Sequence, residues 1–447
     1  MSCYTGAMTD PGFKDHLEQI SERWARALAF AGYDAAIVTA GISRNYFLDD
    51  QSPPHRINPH FLQWCPSELA EGSALLIVPG RRSKLYFLKP DDYWHQAPEL
   101  PGWADEFEVE VCADAAALLR NIERAALASG NHIAFVGEPG PGGSENFLTQ
   151  DLNPSLLINH LHFERATKTA FELACMRTAT AKAVLGHLAA RAAFEQGSSE
   201  FQINLDYLAA SEQLARELPY SNIVALNEHA GVLHYQHYDR SPPAEVRSFL
   251  IDAGGNHNGY AADITRTYAS NPGSLFAELI GRLDAAQQSL IDHIVPGTAY
   301  LDLHVDMHVR LAGILEEAGL VTCSAASAFD AGITETFLPH GLGHLIGLQT
   351  HDVGGQQSGI EGGVVPPPEN YAALRLTRAL EPGMPVTIEP GLYFIPQLLD
   401  RARNGANGDL IDWSLVDALI PFGGIRIEDN VVLTDDGVEN LTRDAFQ

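Results

Sequence analysis

The stretch that decides the fold runs Arg247-Ser-Phe-Leu-Ile-Asp252-Ala-Gly-Gly-Asn-His-Asn-Gly-Tyr-Ala-Ala-Asp263-Ile-Thr-Arg-Thr-Tyr268. A β-rich apolar run ends at Asp252, a Gly/Asn/His turn follows, and a second Thr/Tyr/Ile-rich run carries Asp263. Strand, polar turn and strand together predict a β-hairpin. Each strand holds one carboxylate among apolar neighbours, and an unpaired charge is costly to bury. Two facing aspartates therefore indicate a cation between them.

Further donors follow the hairpin. Three histidines, His340, His344 and His351, fall within one Gly-rich stretch, which favours a functional site over isolated core or surface histidines. Thr387-Ile-Glu389-Pro-Gly is a short strand pattern with a glutamate at its end. Taken alone, that glutamate is as well explained by a solvated strand end.

The last segment of interest is Gly424-Ile-Arg426-Ile-Glu428. Apolar and charged residues alternate with period two, so Arg426 and Glu428 point to one face of a strand. An exposed edge strand would give the same pattern. As a set, however, four carboxylates and one histidine outside polar helix faces predict a dinuclear site. Oxygen-rich coordination with one imidazole suits Mn²⁺ or Co²⁺ better than a structural zinc.

Composition limits the remaining possibilities. The 447 residues include 28 Lys plus Arg against 57 Asp plus Glu, a formal net charge of −29. Such a surface repels phosphate backbones and anionic lipid, so we expect neither nucleic-acid nor membrane binding. Five widely spaced cysteines without a CxxC motif favour a reducing compartment. With no signal-peptide pattern and no apolar run of about 20 residues, we expect a cytoplasmic protein.

Two domains are predicted, with a boundary close to Glu164. Before it, strand patterns alternate with helices in an α/β layer over residues 1–164. After it, residues 165–447 carry long helical patterns (about 168–196, 200–217, 275–294 and 300–318) and nearly all the candidate chemistry. The Pro139–Ser144 and Gly355–Asn370 stretches are predicted to be loops, and residues 398–412 a loop with a helical turn.

These segments resemble the metallopeptidases of the pita-bread fold, and within them bacterial Xaa-Pro dipeptidase (prolidase) and organophosphorus acid anhydrolase. The resemblance spans most of the second half and is weaker in the first. The matched stretches are Tyr220-Ser-Asn-Ile-Val-Ala-Leu-Asn-Glu-His-Ala-Gly-Val-Leu-His234, the aspartate hairpin, Pro339-His-Gly-Leu-Gly-His344, Thr387-Ile-Glu-Pro-Gly-Leu-Tyr-Phe394, Gly423-Gly-Ile-Arg-Ile-Glu428 and Tyr46-Phe-Leu-Asp-Asp50.

The resemblance implies an α+β protein, with a smaller N-terminal α/β domain and a C-terminal pita-bread (creatinase/aminopeptidase-like) catalytic domain. It implies two divalent metal ions per chain, Mn²⁺ first, with Co²⁺ or Zn²⁺ as alternatives. Asp252 would bind one ion, His344 and Glu389 the other, and Asp263 and Glu428 would bridge both.

The implied activity is hydrolysis of Xaa-Pro dipeptides by a metal-bridging hydroxide that attacks the scissile carbonyl. Glu389 would shuttle the proton, and His340 and His351 would donate to the developing oxyanion. The residues implied to bind substrate are Tyr220, His234, Arg426 and Asp50. Arg426 has a second explanation, an ion pair that only orients Glu428. In the relatives the residue matching Asp50 acts from a neighbouring subunit, so a homodimer is implied.

Other functions remain open on the sequence alone. A related enzyme could remove residues before proline from longer peptides, or could act mainly on organophosphorus triesters and fluorides. The long segment between Glu389 and Glu428 is placed like an insertion in the organophosphate-cleaving relatives, so a side activity of that kind is expected. A peptide- or histone-binding module of the same fold, or a metal-free amidinohydrolase, is disfavoured because all five ligands are present.

Overall fold

A computed structural model describes residues 12–67, 70–138 and 151–447. Cys3 and the predicted Pro139–Ser144 loop lie outside the described residues. The chain divides into two units, Met1–Cys175 with Gly359–Gly363, and Met176–Ser358 with Val364–Gln447.

The helices of the described residues are numbered in chain order. They are α1 Phe13–Ala31, α2 Pro59–Leu62, α3 Ala115–Leu127, α4 Ser155–Arg165, α5 Ala170–Glu195, α6 Glu200–Ala210, α7 Leu275–Ile291, α8 Tyr300–Glu317, α9 Ala325–Asp330, α10 Ile333–Phe337, α11 Pro396–Arg403, α12 Trp413–Leu419 and α13 Leu441–Ala445. Short 3₁₀ turns occur at Gly102–Glu106, Asn227–Gly231, Glu369–Tyr371, Gly408–Leu410 and Ile420–Phe422.

The strands are numbered in the same way. They are β1 Ala35–Thr39, β2 Ala74–Ile77, β3 Lys84–Leu88, β4 Glu108–Cys112, β5 Ile133–Val136, β6 Asp151–Leu152, β7 Ile223–Leu226, β8 Ser248–Asp252, β9 Asn256–His257, β10 Tyr260–Ala261, β11 Thr265–Ala269, β12 Gln357–Gly359, β13 Gly362–Val364, β14 Pro385–Ile388, β15 Gly391–Tyr393, β16 Gly424–Arg426, β17 Asp429–Thr434 and β18 Gly437–Asn440.

The first unit is built on a mixed sheet with strand order β4-β3-β2-β1-β5-β6. Strand β1 is antiparallel to β2 and parallel to β5. Its side chains pack with Phe135 of β5 and with Ile122 of α3 in one buried core. This confirms the predicted α/β layer. The sequence reading missed β4, although Glu108-Val-Glu-Val-Cys112 alternates with period two, and β4 pairs with β3 in parallel.

In the second unit, β8 and β11 pair antiparallel and place Asp252 opposite Thr265, which confirms the predicted hairpin. Strand β7 pairs with the other edge of β8. Apolar side chains on one face of this sheet pack against α5 and α6, among them Phe249 and Ile251 against Phe194. Asp263 lies just before β11, in the segment that joins it to β10.

Two further ladders carry the predicted glutamates. The chain leaves β14 at Ile388, passes Glu389 and Pro390, and enters β15 at Gly391. Similarly, it leaves β16 at Arg426, passes Ile427 and Glu428, and enters β17. Because β14 pairs with β17 and β15 pairs with β16, both glutamates lie at the break between two ladders. Along a continuous strand, side chains alternate strictly between the two faces of the sheet. At a break between two strands this alternation is interrupted, so the side chain of the residue at the break can point inward.

Several predicted boundaries were wrong. Helix α6 ends at Ala210 and not near Glu217, because Glu212 adopts a positive φ of 52° that a helix cannot continue through. The predicted Gly355–Asn370 loop contains the strands β12 and β13, which form a small hairpin. Over residues 398–412, where a loop with a helical turn was predicted, the helical part is longer than one turn, because α11 runs from Pro396 to Arg403 and begins at a residue suited to the first turn of a helix.

Two further sequence expectations concern thiols and membranes. The described cysteines Cys65, Cys112, Cys175 and Cys323 are not joined in disulfides. Among the described helices, none combines the length and apolarity that crossing a bilayer requires.

Candidate metal centre

The two hairpin aspartates face one hydroxyl group. The Tyr220 hydroxyl lies 2.7 Å from Asp252 Oδ1 and 2.5 Å from Asp263 Oδ1. One hydroxyl carries a single proton and can donate to only one of these oxygens at a time. Burial raises the pKa of Asp252, so this carboxyl is the one that more readily keeps a proton when no cation is present.

His344 joins Asp263 from the Gly-rich loop. Its Nδ1 lies 2.9 Å from the Leu345 carbonyl oxygen. A carbonyl only accepts, so Nδ1 carries the proton and donates it, and this assigns the tautomer. Nε2 then points at carboxylates, 3.5 Å from Asp263 Oδ2 and 3.8 Å from Glu389 Oε1. A histidine fixed by a backbone carbonyl with its other nitrogen facing carboxylates has the arrangement of a metal ligand.

Glu428 completes the buried group. Ligand atoms of Asp263, His344 and Glu428 all lie within 4.8 Å of one another, and all three side chains are buried. The Glu428 Oε2 atom accepts a hydrogen bond of 2.8 Å from Thr265 Oγ1, and its backbone N–H donates to the Thr265 carbonyl at 3.0 Å. The hairpin and the C-terminal strands are thereby joined where the carboxylates meet.

The electrostatics of the cluster favour a cation. Burial and the neighbouring carboxylates raise the pKa of Glu389 to about 7 and that of Glu428 well above its usual range. Although burial opposes it, His344 holds the pKa of Asp263 below its ordinary value. Four carboxylates that cannot all ionise without compensation, together with one correctly oriented imidazole, fit divalent metal ions.

The Arg426 side chain makes hydrogen bonds within the same cluster. Its side chain is buried and donates to Asp252 Oδ2 at 2.6 Å, to the Tyr393 hydroxyl at 2.8 Å and to Thr265 Oγ1 at 3.3 Å. Arg426 and Glu428 both contact Thr265 and therefore share one side, as the alternation predicts. The guanidinium forms its ion pair with Asp252, whereas the ion-pair explanation named Glu428 as the partner.

The three other histidines differ in their surroundings. His340 Nδ1 donates to the Gly341 carbonyl at 2.8 Å, so its Nε2 accepts from the Tyr393 hydroxyl at 2.9 Å. Burial lowers the pKa of His340 to about 3, which keeps the ring neutral. His351 is exposed, and its ring stands perpendicular to that of His344 with centroids 4.5 Å apart. His234 is exposed on the loop after β7 and lies close enough to influence the charge of His340 and His351.

The loop that carries His234 is fixed by Glu200. This buried carboxylate accepts from Leu226 N–H at 2.8 Å, His229 Nδ1 at 2.7 Å, the Tyr235 hydroxyl at 2.8 Å and Asp239 N–H at 2.7 Å. Glu200, His229 and Asp239 also meet the distance requirement of a metal group, but both oxygens of Glu200 are already used by donors.

Asp50 belongs to the first unit, where it is exposed in the segment between β1 and α2 and accepts from the Gln51 side chain at 3.3 Å. Its role at a neighbouring subunit's site stays a prediction.

The sequence reading missed Thr265 and Tyr393. Thr265 follows Asp263 by two residues, so period two alone would have placed it on the same side. Tyr393 links Arg426 to His340, and nothing in its spacing identifies that contact.

Comparisons with known proteins identify the family. Residues 174–435 match the model of metallopeptidase family M24, and residues 11–163 match the Xaa-Pro dipeptidase N-terminal domain. The Xaa-Pro dipeptidase of Stenotrophomonas maltophilia (strain K279a) is 45% identical over 98% of both chains. That of Xanthomonas oryzae pv. oryzae (strain MAFF 311018) is 45% identical over 98% of this chain and 99% of its own.

Solved structures establish the fold. Aminopeptidase P from E. coli with the inhibitor Pro-Leu superposes with a TM-score of 0.73 at 21% identity, covering 96% of this chain and 95% of that one. Proline aminopeptidase P II from Yersinia pestis gives 0.70 at 24% identity, with 96% of each chain covered. The predicted α+β fold with a pita-bread catalytic domain is confirmed. The chain belongs to metallopeptidase family M24, a family of hydrolytic enzymes.

Proposed function

We propose that this protein is a dinuclear metal-dependent dipeptidase that cleaves Xaa-Pro dipeptides. The observation that carries the proposal is the convergence of Asp252, Asp263, His344, Glu389 and Glu428 from four separate segments onto one largely buried site. Relatives named Xaa-Pro dipeptidase that align over nearly the whole chain support the substrate class.

The metal ions would be held by these five side chains. Asp252 would bind one ion, His344 and Glu389 the other, with Asp263 and Glu428 shared between them. Mn²⁺ suits the oxygen-rich donor set best, with Co²⁺ or Zn²⁺ as alternatives. When bound, the ions lower the pKa of water and polarise the scissile carbonyl.

The protein's own groups handle the proton. The nitrogen of an Xaa-Pro amide carries no hydrogen, so it must receive one to leave. Glu389 has a pKa raised to about 7 in the metal-free site, and its side chain is only partly buried. It would take a proton from the attacking water at a carboxylate oxygen and deliver it to the proline nitrogen.

The remaining side chains would orient the metal ligands and stabilise the developing oxyanion. Tyr220 contacts both hairpin aspartates and would hold them in position beside the substrate. His351, which is exposed, and His340 are the candidate donors to the developing oxyanion. In the tautomer that its contacts assign, His340 Nε2 carries no proton, so His340 would have to release Tyr393 and gain a proton at Nε2 before it could donate.

Recognition of the proline carboxylate would rest mainly on His234. Arg426 already donates to Asp252, Tyr393 and Thr265, so we assign it to hold Asp252. It could still attract the carboxylate electrostatically without a direct hydrogen bond.

Cleavage of longer peptides is the main alternative. The deciding experiment compares hydrolysis of Leu-Pro with that of Leu-Pro-Gly by Mn²⁺-loaded protein, before and after chelation. A dipeptidase cleaves Leu-Pro much faster. Preference for the tripeptide would instead identify an aminopeptidase.

A side activity on organophosphorus triesters and fluorides is proposed because the segment between Glu389 and Glu428, which carries helices α11 and α12, is placed like the insertion in the organophosphate-cleaving relatives. Hydrolysis of a fluorophosphonate analogue no faster than by free Mn²⁺ would exclude it.

A homodimer is proposed on the basis of Asp50. If Asp50 binds the substrate's α-ammonium group from a neighbouring subunit, Asp50→Ala raises KM for dipeptides about tenfold and leaves metal content unchanged. Asp49→Ala, at the adjacent residue, is the matched control. An unchanged KM in Asp50→Ala, or a fully active monomer, would remove this role.

A further inference from the structure

Helix α7 passes behind the break at which the two glutamates lie. Its Gln287 side chain is fully buried. The Gln287 Nε2 group donates to the Ile388 carbonyl at 2.8 Å and more weakly to the Ile427 carbonyl at 3.4 Å. Ile388 directly precedes Glu389, and Ile427 directly precedes Glu428. One amide group therefore holds the backbone in front of both glutamates.

The orientation of this amide follows from its partners. Gln287 Oε1 accepts from Arg443 Nη2 at 2.9 Å. An arginine only donates and a carbonyl only accepts, so reversing the amide would lose all three contacts. The side chain therefore has a single satisfied orientation.

Arg443 is anchored in turn. Its Nε donates to Asp429 Oδ2 at 2.7 Å, and the fully buried Asp429 also accepts from Arg266 Nη2 at 2.7 Å. Arg266 Nη1 donates to the Glu428 carbonyl at 2.8 Å. The carbonyls on both sides of the Glu428 Cα are thus held by groups of one connected network.

We propose that Gln287 is a positioning residue that sets the separation of Glu389 and Glu428, and through them the affinity of the site for its metal pair. The inference rests on the proposed dinuclear function. Neither glutamate lies within a named strand. The Glu428 N–H donates to the Thr265 carbonyl and the Glu389 N–H to the Leu342 carbonyl, so each glutamate is held to a different segment. The Gln287 amide is the group that ties the two breaks to one side chain. Groups that orient ligands from outside the coordination sphere commonly change metal affinity 10- to 100-fold.

The test measures Mn²⁺ binding to metal-free protein by the electron paramagnetic resonance signal of unbound Mn²⁺. Gln287→Met keeps the approximate volume and removes the donor. Gln287→Glu keeps the length and the contact with Arg443 but also removes the donor. We expect both variants to bind Mn²⁺ about 10- to 100-fold more weakly than the wild-type protein.

Two controls on the same helix separate positioning from folding. Ala285→Ser changes an exposed residue of the helix, and Leu283→Val lowers stability through a buried apolar side chain. Both should bind Mn²⁺ with wild-type affinity, even though Leu283→Val lowers the melting temperature. If Gln287→Met does not fold, Gln287→Glu decides.

The possible results separate a failure of the proposed Gln287 role from a failure of the proposed function. Wild-type Mn²⁺ affinity in a folded Gln287 variant, or an equal loss in Leu283→Val, would overturn the role of Gln287. A wild-type protein that binds no Mn²⁺ pair would instead overturn the proposed function itself.

Discussion

Replacing Arg426 with methionine tests whether this residue holds Asp252 or binds the substrate. The buried guanidinium donates to Asp252, Tyr393 and Thr265, and methionine has a similar length without any donor. Asp252 Oδ2 would lose its charged partner at 2.6 Å, and Tyr393 would lose a donor at 2.8 Å.

The expected loss of stability follows from the burial of the Arg426–Asp252 ion pair. Breaking a buried ion pair by removing one partner costs about 3–5 kcal/mol. Because Asp252 has a raised pKa and can take up a proton, we expect the lower end, about 3 kcal/mol, for the metal-free protein. For a unit of this size this corresponds to a melting temperature roughly 6–12 °C lower.

Metal affinity should fall as well. Arg426 lowers the pKa values of Asp252, Glu389 and Glu428, so without it protons compete more strongly for the ligands. A loss of about 10- to 100-fold in Mn²⁺ affinity at pH 7 is expected.

The assay combines thermal unfolding of chelator-stripped protein, Mn²⁺ titration, and KM for Leu-Pro at saturating Mn²⁺. Arg282→Met, which breaks an exposed ion pair with Glu278 on α7, is the control and should change stability by less than about 1 kcal/mol. If Arg426→Met kept wild-type stability and metal affinity while KM rose at least tenfold, the guanidinium would be a substrate ligand and the reasoning would be refuted.

Three further predictions concern charge and the His234 loop. Because burial raises the pKa of Glu389 from 4.5 to about 7, this residue's contribution to the stability of the metal-free protein should fall as the pH rises from about 5 to 7, and the stability difference between wild-type protein and Glu389→Gln in denaturant unfolding isolates it; Mn²⁺ should change this pH dependence, and a contribution that grows with pH would contradict the assignment. Asp263→Asn should lower the number of bound ions and activity together, with the exposed Asp302→Asn unaffected; full metal content would argue against a shared ligand. Glu200→Gln should loosen the His234 loop and raise KM for Leu-Pro several-fold at unchanged metal affinity, with Glu195→Gln as control; an unchanged KM would mean that the loop does not need this clamp.

The hairpin and the candidate ligands could be predicted because their signals are local. Acidic residues interrupting apolar strands are anomalous in any single segment, and Asp252 and Asp263 appear within one hairpin. The alternation that set Arg426 and Glu428 on one side is likewise readable from period two.

The other features of the site could not be predicted, because they depend on contacts between segments that are distant in sequence. Tyr393 meets Arg426 across the β15–β16 ladder, and Gln287 reaches Ile388 and Ile427 from a helix about a hundred or more residues away in sequence. The sequence does not show which buried helical glutamine makes these contacts, because its partners lie in other segments. Helix ends were missed for a related reason, since the positive φ of Glu212 is a tertiary outcome that residue preferences do not reveal.

The number of metal ions bound per chain, measured together with Leu-Pro hydrolysis before and after chelation, tests the central claim most directly. Two divalent ions per chain are predicted, with hydrolysis abolished by stripping and restored by Mn²⁺. Protein that binds no such pair, or that cleaves Leu-Pro equally well once stripped, would contradict it.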